Sequence, residues 1–172
     1  MLIADLVIRP ARSADFSRLA EIESLAARLF SPADLPLALR ARTLPEAALR
    51  AAADAGLLWT AEQDGRAVGF AMAEIVDGQL HLAEMDVDPA HARRGIGAAL
   101  LAQVAAHGEG AGFAAVTLTT FAHLPWNAPF YHRHGYAEHA PAAGSALAAR
   151  LAAESAAGLR QRIAMRRALR PA

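Results

Sequence analysis

The amino-acid sequence predicts a mixed α/β fold, with flanking helices around a mostly antiparallel central sheet of about six to seven strands. Apolar runs at 57–62, 67–76 and 80–87 are separated by Asp64-Gly65 and Asp77-Gly78. Asp-Gly between two apolar runs is a strong hairpin signal. The three runs therefore predict an antiparallel meander.

A second observation predicts one parallel pair of strands in this sheet. A helix from Gly97 to about His107 follows the run at 80–87 and leads to another apolar run at 115–120. A strand–helix–strand connection of this length places the two strands side by side and parallel. The fifth strand of the chain should therefore lie parallel to the fourth.

The first third of the chain predicts one strand followed by helices. Residues 6–10 form the strand, which Pro10 ends, and Ser13 is the expected N-cap of the next helix. Apolar residues recur in that helix at helical spacing, at positions 16, 19, 22, 25, 26 and 29. A proline-marked break follows at 31–36. Residues 37–55 are then predicted to be helical in two pieces, divided near Leu44-Pro45.

The last third of the chain predicts a short helix, a short strand, a helix and a closing strand. Asn127 suits an N-cap, Pro129 the first turn, and Gly135 the position after the last turn. A strand at 136–139, a helix at 144–157 and a strand at 160–169 follow. The five arginines of residues 160–170 are interpreted as charges that protect a solvent-facing sheet edge, with an anionic partner as the alternative.

Composition limits the classes of function. The 172 residues are most simply one domain, 1–172, and 17 basic residues balance 17 acidic ones. This balance gives no reason to expect a nucleic-acid or membrane partner. No cysteine is present, which excludes disulfides and a cysteine acyl-enzyme. No signal peptide or membrane span of about 20 apolar residues is recognisable, so a cytoplasmic location is expected.

The segment 80–101 predicts an anion-binding site. A strand ends at Val87-Asp88-Pro89, and a basic, glycine-containing turn then leads directly into a helix. The N–H groups of the first helical turn have no partners within the helix, and the helix dipole favours negative charge there. Gly95 and Gly97 let a ligand approach the main chain.

This segment resembles motif A of the GNAT superfamily of acyl-CoA N-acyltransferases. Val87-Asp88-Pro89 and Gly95-Ile96-Gly97 match the pattern, whereas its leading Gln or Arg position is Ala92. The resemblance implies the GNAT fold, with the parallel strands splayed apart, acetyl-CoA as co-substrate and an acceptor pocket walled in part by the region at 31–55. It also implies a set of residues that bind the cofactor. These are Met85, Asp86, Val87, Ala92, Arg93, Arg94, Gly95, Ile96, Gly97 and Ala98, with the main-chain groups of Met85 and Val87 pairing with pantetheine.

The segment 126–136 resembles motif B of the same family. Tyr131 matches the motif's tyrosine, which protonates the departing thiolate in many members, and a phenol of pKa about 10 is suited to that role. Asn127 is a candidate cofactor contact, although the motif's asparagine position falls on Leu124. The alternative is that Tyr131 only packs the helix against the sheet.

The acceptor must lose a proton before it attacks, and His81 and Glu84 of the fourth strand are the main candidate bases. Asp86 and Glu74 are weaker candidates, and proton transfer through ordered water without a single base is the alternative. Strand alternation places His81 and Glu84 on opposite faces unless a bulge intervenes, so the choice between them stays open. Four of the seven histidines fall between His123 and His139, but their spacing resembles no zinc site, and no metal is expected.

The resemblance implies an N-acetyltransferase that moves an acetyl group from acetyl-CoA to a primary amine by direct transfer in a ternary complex. The amine can be a small molecule or part of a peptide. The alternative is a non-catalytic sensor domain that binds acyl-CoA. A dinucleotide-binding domain is disfavoured because Leu100 replaces the third glycine of its motif. The oligomeric state is left open, with a homodimer as one option.

Overall fold

The computed structural model describes residues 6–170, which build a seven-stranded mixed sheet. The strands are β1 (Val7–Pro10), β2 (Leu58–Gln63), β3 (Arg66–Val76), β4 (Gln79–Val87), β5 (Ala115–Phe121), β6 (Ala137–Glu138) and β7 (Arg162–Ala168). Their order in the sheet is β1-β2-β3-β4-β5-β7-β6. β4 and β5 are parallel, and every other neighbouring pair is antiparallel. The predicted mixed α/β class and its one parallel pair are confirmed.

Six α-helices flank this sheet within residues 6–170. They are α1 (Phe16–Ala27), α2 (Leu37–Arg40), α3 (Glu46–Asp54), α4 (Ile96–Gly110), α5 (Ala128–Arg133) and α6 (Ala146–Ala156). Neighbouring residues of β2 show the division, because Trp59 packs with α4 whereas Leu58 packs with α1 and α3. None of the helices among residues 6–170 is long and apolar enough to cross a membrane.

The start of α1 differs from the prediction that Ser13 caps it. Residues Ser13–Asp15 form a 3₁₀ turn, and α1 begins only at Phe16. The carboxylate of Asp15 accepts a hydrogen bond from the Arg12 N–H at 2.7 Å and two from the guanidinium of Arg9. Asp15 therefore fixes the entry to the helix, because an ionised carboxylate is a stronger acceptor than the Ser13 hydroxyl.

The crossover helix α4 runs past Gly108, where the sequence suggested that it would stop. A Cβ atom on Gly108 would lie 2.6 Å from Cδ1 of Leu169, so this glycine allows the helix to approach the end of β7 closely. The helix ends at Gly110, Ala111 is its C-cap, and Gly112 after it has a φ of 80°. The N–H of Phe113 closes the end by donating to the Gly108 carbonyl at 2.9 Å.

The arginine-rich final strand is not the edge of the sheet, and its interpretation as an edge was wrong. β7 lies between β5 and the two-residue strand β6. Its first residue, Arg162, is turned inward and pairs with Glu154 of α6 at 2.8 Å. This pair contributes to one of the cavities described below.

Candidate functional site

Two cavities meet where β4 and β5 separate. Only residues 80–82 of β4 pair with residues 116–118 of β5. The register between β3 and β4 shifts at the same level, because Ala73 pairs with Leu82 and Met72 with Glu84, which leaves Ala83 as an extra residue. Such a bulge bends a strand and re-aims its side chains. It therefore turns the second half of β4 away from β5 and opens the sheet.

The first of these, the carboxylate cavity, has a volume of about 330 Å³. Most of the residues that line it lie on α1, in the segment between α1 and α3, on β4, on β5, and where α6 leads into β7. The lining residues are Glu23, Ala27, Phe30, Leu35, Leu39, Arg42, residues 82–86, residues 118–121, Asn127, Tyr131, Glu154, Leu159 and Arg162. Three of them, Leu35, Leu39 and Arg42, belong to the region at 31–55 that was expected to wall an acceptor pocket.

The second, the glycine-loop cavity, has a volume of about 660 Å³. It is lined by the first turn of α4, the loop before it, the second half of β4 and the segment around α5: Ala26, Leu29, Phe30, residues 85–87, residues 91–93, residues 95–98, residues 125–127, Phe130, Tyr131 and Arg133. Its walls are mostly apolar, and they include the first turn of α4 and two arginines, Arg93 and Arg133.

The glycine loop has the geometry of an anion site. Arg93 and Gly95 both adopt positive φ, at 60° and 81°, and Gly95 is the N-cap of α4. This conformation turns the chain sharply, so the unpaired N–H groups of the first turn point out of the helix. A ligand with phosphate groups fits this end of the cavity, because unpaired N–H donors, the helix dipole and Arg93 all favour negative charge.

An ion pair on the far side of the loop holds the turn after β4 in place. The guanidinium of Arg18, on α1, contacts the carboxylate of Asp88 and also donates to the carbonyl of Ala67 at 3.1 Å. Asp88 accepts the N–H of Ala90 at 2.9 Å. Although burial opposes it, the Ala90 N–H and then Arg18 hold the pKa of Asp88 below its ordinary value. A charged, hydrogen-bonded Asp88 thus ties the loop to α1.

Glu84 and Asp86 of β4 both face the carboxylate cavity and influence each other. Burial, and to a smaller extent the charge of Glu23, raises the pKa of Glu84 to about 7. Burial and the charge of Glu84 likewise raise the pKa of Asp86 well above its ordinary value. A carboxyl with a pKa near neutrality can accept a proton from a ligand and release it again, which is the property of a general base.

Tyr131 lies in the wall that the two cavities share. Five residues line both cavities: Phe30, Met85, Asp86, Asn127 and Tyr131. Burial, and to a smaller extent the charge of Glu84, holds the pKa of the Tyr131 phenol well above its ordinary value. The hydroxyl therefore keeps its proton at neutral pH and can donate it as a hydrogen bond to a group placed between the cavities.

The structure brings most of the predicted site residues to this junction. Of the predicted cofactor contacts, the following line the glycine-loop cavity: Met85, Asp86, Val87, Ala92, Arg93, Gly95, Ile96, Gly97, Ala98, Asn127 and Tyr131. Arg94 is exposed and lines neither cavity. Asn127 is the N-cap residue of α5, but its side chain makes no capping hydrogen bond, which leaves its amide available to a ligand.

His81, the second candidate base, lies apart from both cavities. It is 1% exposed, and its Nδ1 is 2.9 Å from Oγ1 of Thr117 on β5. Burial, and to a smaller extent the charge of Arg150, lowers the pKa of His81 to about 4. A buried imidazole with so low a pKa is neutral at pH 7 and a weak base, so Glu84 is the better placed of the two.

The sequence did not point to four further residues that line the cavities: Glu23, Phe30, Arg133 and Arg162. Only Glu23 carried a local signal, because it lies on the apolar side of α1, four residues after Leu19 and three before Ala26, both of which are buried. Its carboxylate accepts the Leu44 N–H at 2.8 Å. Arg162 reaches the cavity only through the tertiary pairing of β7 with β5.

No group of three or more His, Asp or Glu side chains within residues 6–170 is arranged to hold a metal ion. The histidines between His123 and His139 make separate contacts instead. His123 pairs with Asp34 at 2.8 Å, and His132 and His134 contact the main-chain carbonyls of Tyr136 and Phe130.

The chain is similar in sequence to one protein family and in fold to many solved structures. Residues 19–136 match the model of the acetyltransferase (GNAT) family. The ribosomal-protein-S18-alanine N-acetyltransferase of Escherichia coli is 21% identical, with a TM-score of 0.68 over 97% of this chain and 96% of that one. Rv2747 of Mycobacterium tuberculosis, solved with CoA, is 19% identical, with a TM-score of 0.71 over 95% and 99%.

A third solved structure contains a similar domain within a longer chain. N-acetylglutamate synthase of Neisseria gonorrhoeae, in complex with coenzyme A and N-acetyl-glutamate, is 18% identical, with a TM-score of 0.72 over 97% of this chain and 36% of that one. At such low identity these similarities establish the fold alone.

Proposed function

Because the chain belongs to the GNAT family of acetyltransferases, we propose that it moves an acetyl group from acetyl-CoA to a primary amine by direct transfer in a ternary complex. The observation that carries the proposal is the junction of two cavities at Tyr131. One cavity ends in an anion site, and the other contains carboxyls suited to an ammonium group. Two substrates bound in them would meet at the phenol.

The glycine-loop cavity suits acetyl-CoA in shape and chemistry. Main-chain N–H groups of Gly95 to Ala98 and the side chain of Arg93 would hold the phosphates, and Arg133 adds positive charge at the same cavity. Beyond Leu82, β4 has no β5 partner, so its main-chain groups on that side are available to the pantetheine amides. A Cβ atom on Gly97 would fill space beside Phe130 that a ligand can use. CoA-bound relatives with this fold support the assignment.

In the proposed reaction, Glu84 first accepts a proton from the ammonium group of the acceptor. The free amine attacks the thioester carbonyl carbon, a C–N bond forms, and the C–S bond then breaks. Tyr131 donates its proton to the departing sulfur, and CoA leaves as the thiol. The nitrogen passes its second proton through water to Tyr131, which restores the phenol. Glu84 releases the proton that it accepted to the solvent, so one proton is set free for each acetyl group transferred. No acyl-enzyme is required, and the chain has no cysteine to form one as a thioester.

The experiment that tests this function supplies acetyl-CoA and a panel of primary amines to the purified protein. Thiol release and the acetylated amine are both measured, the latter by mass spectrometry. We expect amine-dependent thiol release, with initial-velocity lines that intersect when both substrates are varied. Parallel lines would contradict direct transfer, because they indicate an acyl-enzyme. Tight acetyl-CoA binding without turnover on any amine would replace the proposal with the non-catalytic sensor.

A further inference from the structure

The carboxylate cavity has an excess of negative groups. Glu23, Glu84 and Asp86 line it, and no ion pair within residues 6–170 involves any of them. The guanidinium of Arg162 also faces the cavity, but Glu154 already accepts its Nε–H at 2.8 Å. The other arginine in the lining, Arg42, is exposed.

The three carboxyls come from two elements that face each other. Glu84 and Asp86 lie on the bulged half of β4, and Glu23 lies on α1, which packs against that strand. Glu23 is fixed rather than free to turn away, because its Oε2 accepts the Leu44 N–H at 2.8 Å. Carboxylate groups therefore stand at two places in the cavity, one beside the Tyr131 wall and one on α1.

The lining of the cavity also includes apolar side chains. Ala27 at the end of α1, Phe30 and Leu35 in the following loop, and Leu39 on α2 supply hydrocarbon surface. A chain of methylene groups fits such a surface, whereas a peptide main chain would leave its amide groups there without hydrogen-bond partners. The cavity thus combines carboxyl groups on two elements with apolar surface.

We propose that the preferred acceptor is an aliphatic diamine or longer polyamine, whose reacting nitrogen lies at Glu84 and whose second ammonium group pairs with Glu23. This inference rests on the proposed acetyltransferase function and names its substrate class. An acceptor with its own carboxylate is disfavoured, because that group would enter a cavity with three like groups and with Arg162 already paired.

Binding of a dication should release protons. Burial raises the pKa of Glu23, Glu84 and Asp86, and the pKa of about 7 means that Glu84 is partly protonated in the free protein near neutral pH. Other ionisable groups that face them are Tyr131, Glu154, Arg162 and the exposed Arg42. Two ammonium groups favour the ionised carboxylates, so the protons leave as the diamine binds.

The test compares putrescine with n-butylamine, two amines with the same carbon chain and different charge, using kcat/KM for acetyl transfer near neutral pH. We expect at least a tenfold preference for putrescine. Glu23→Gln should bring the ratio of the two kcat/KM values close to one, and it should still fold because glutamine keeps the oxygen that accepts the Leu44 N–H. The ratio is compared rather than either rate, because the loss of the Glu23 charge also lowers the pKa of Glu84 and so changes the rate with both amines. The control Glu138→Gln changes the same charge at an exposed residue of β6, outside both cavities, and should keep the preference.

Binding measurements make the inference independent of turnover. Calorimetry of putrescine binding in buffers of different ionisation enthalpy should show proton release by the parent protein and less release by Glu23→Gln. Equal kcat/KM for the two amines, an unchanged preference in Glu23→Gln, or a better rate with glutamate than with putrescine would each overturn the assignment. Acetylation of n-butylamine in those cases would leave the acetyltransferase function standing. Putrescine binding with proton release but no transfer to any amine would instead refute the acetyltransferase function and keep the diamine site.

Discussion

The carboxyl of Glu84 and the phenol of Tyr131 line the same cavity, and after burial the charge of Glu84 contributes most to raising the pKa of Tyr131. The two groups therefore differ in what they can do near pH 7. Glu84, with a pKa of about 7, exchanges protons readily, whereas Tyr131 keeps its proton. Two titratable groups with pKa values held apart in this way suit a base and an acid in one reaction.

Replacement of Glu84 with glutamine should change the pH dependence of acetyl transfer. In the parent protein kcat/KM should rise as pH increases through about 7, because Glu84 must be ionised to accept the proton. Glu84→Gln should lower the rate most near neutral pH and recover at high pH, where the amine is already free. The measurement is kcat/KM against pH for both proteins with one amine.

The matched variant for this experiment is His81→Gln. It should keep the pH profile of the parent enzyme, because His81 lines neither cavity. If His81→Gln instead loses activity near neutral pH and recovers at high pH, while Glu84→Gln stays active, the assignment of the base is reversed.

His81 should make the stability of the protein depend on pH. Burial lowers its pKa from 6.5 to about 4 in the folded state, so between these values the unfolded chain binds more protons. Stability therefore falls as the pH falls through this window. The contribution of His81 to that fall is about 2 kcal/mol at pH 5. The free energy of unfolding, measured with denaturant at pH 7 and at pH 5, should fall less in His81→Gln than in the parent protein, by about this amount. An equal fall in both proteins would contradict the buried, neutral imidazole.

A branched side chain at Gly97 should block acetyl-CoA binding without unfolding the protein. A Cβ atom there would lie 3.5 Å from Cζ of Phe130 and 4.0 Å from Cε of Met85, which are ordinary contacts. Gly97→Val should therefore fold but occupy the space that the ligand needs. Calorimetry should show the loss of acetyl-CoA binding in a variant that unfolds cooperatively.

Gly110→Val provides the control, because it places the same side chain in open space at the other end of α4. It should bind acetyl-CoA as the parent protein does. Unchanged affinity in folded Gly97→Val would exclude the glycine loop as the binding site.

The local structure of short, continuous segments was the easiest feature to predict from the sequence. The turn from Val87 to Gly97 and the helix that carries Tyr131 are each continuous in the chain, and local geometry determines most of their form. The strands of the meander were predictable for the same reason, since Asp64 and Asp77 both adopt the positive φ that an Asp-Gly turn requires.

The features that the sequence did not predict are those that depend on tertiary packing. The bulge at Ala83 depends on the pairing of β4 with β3 and with β5, and strand alternation alone could not say whether Glu84 or His81 faces the cavity. Gly108 suggested the end of a helix, yet it serves the contact with Leu169 sixty-one residues later. Arg162 enters the cavity because β7 pairs beside β5, which no local pattern indicates.

The most direct test of transfer at the cavity junction is the kcat of Tyr131→Phe, measured together with its Kd for acetyl-CoA on one preparation. The substitution removes only the hydroxyl and keeps the ring that packs against Phe130 and Tyr136. If the hydroxyl donates to the departing sulfur, kcat should fall about 10²–10⁴-fold while Kd barely changes, because the lost interaction belongs to the transition state. A Tyr131→Phe enzyme within about threefold of the parent kcat, with chemistry shown to limit the rate, would contradict the role of Tyr131.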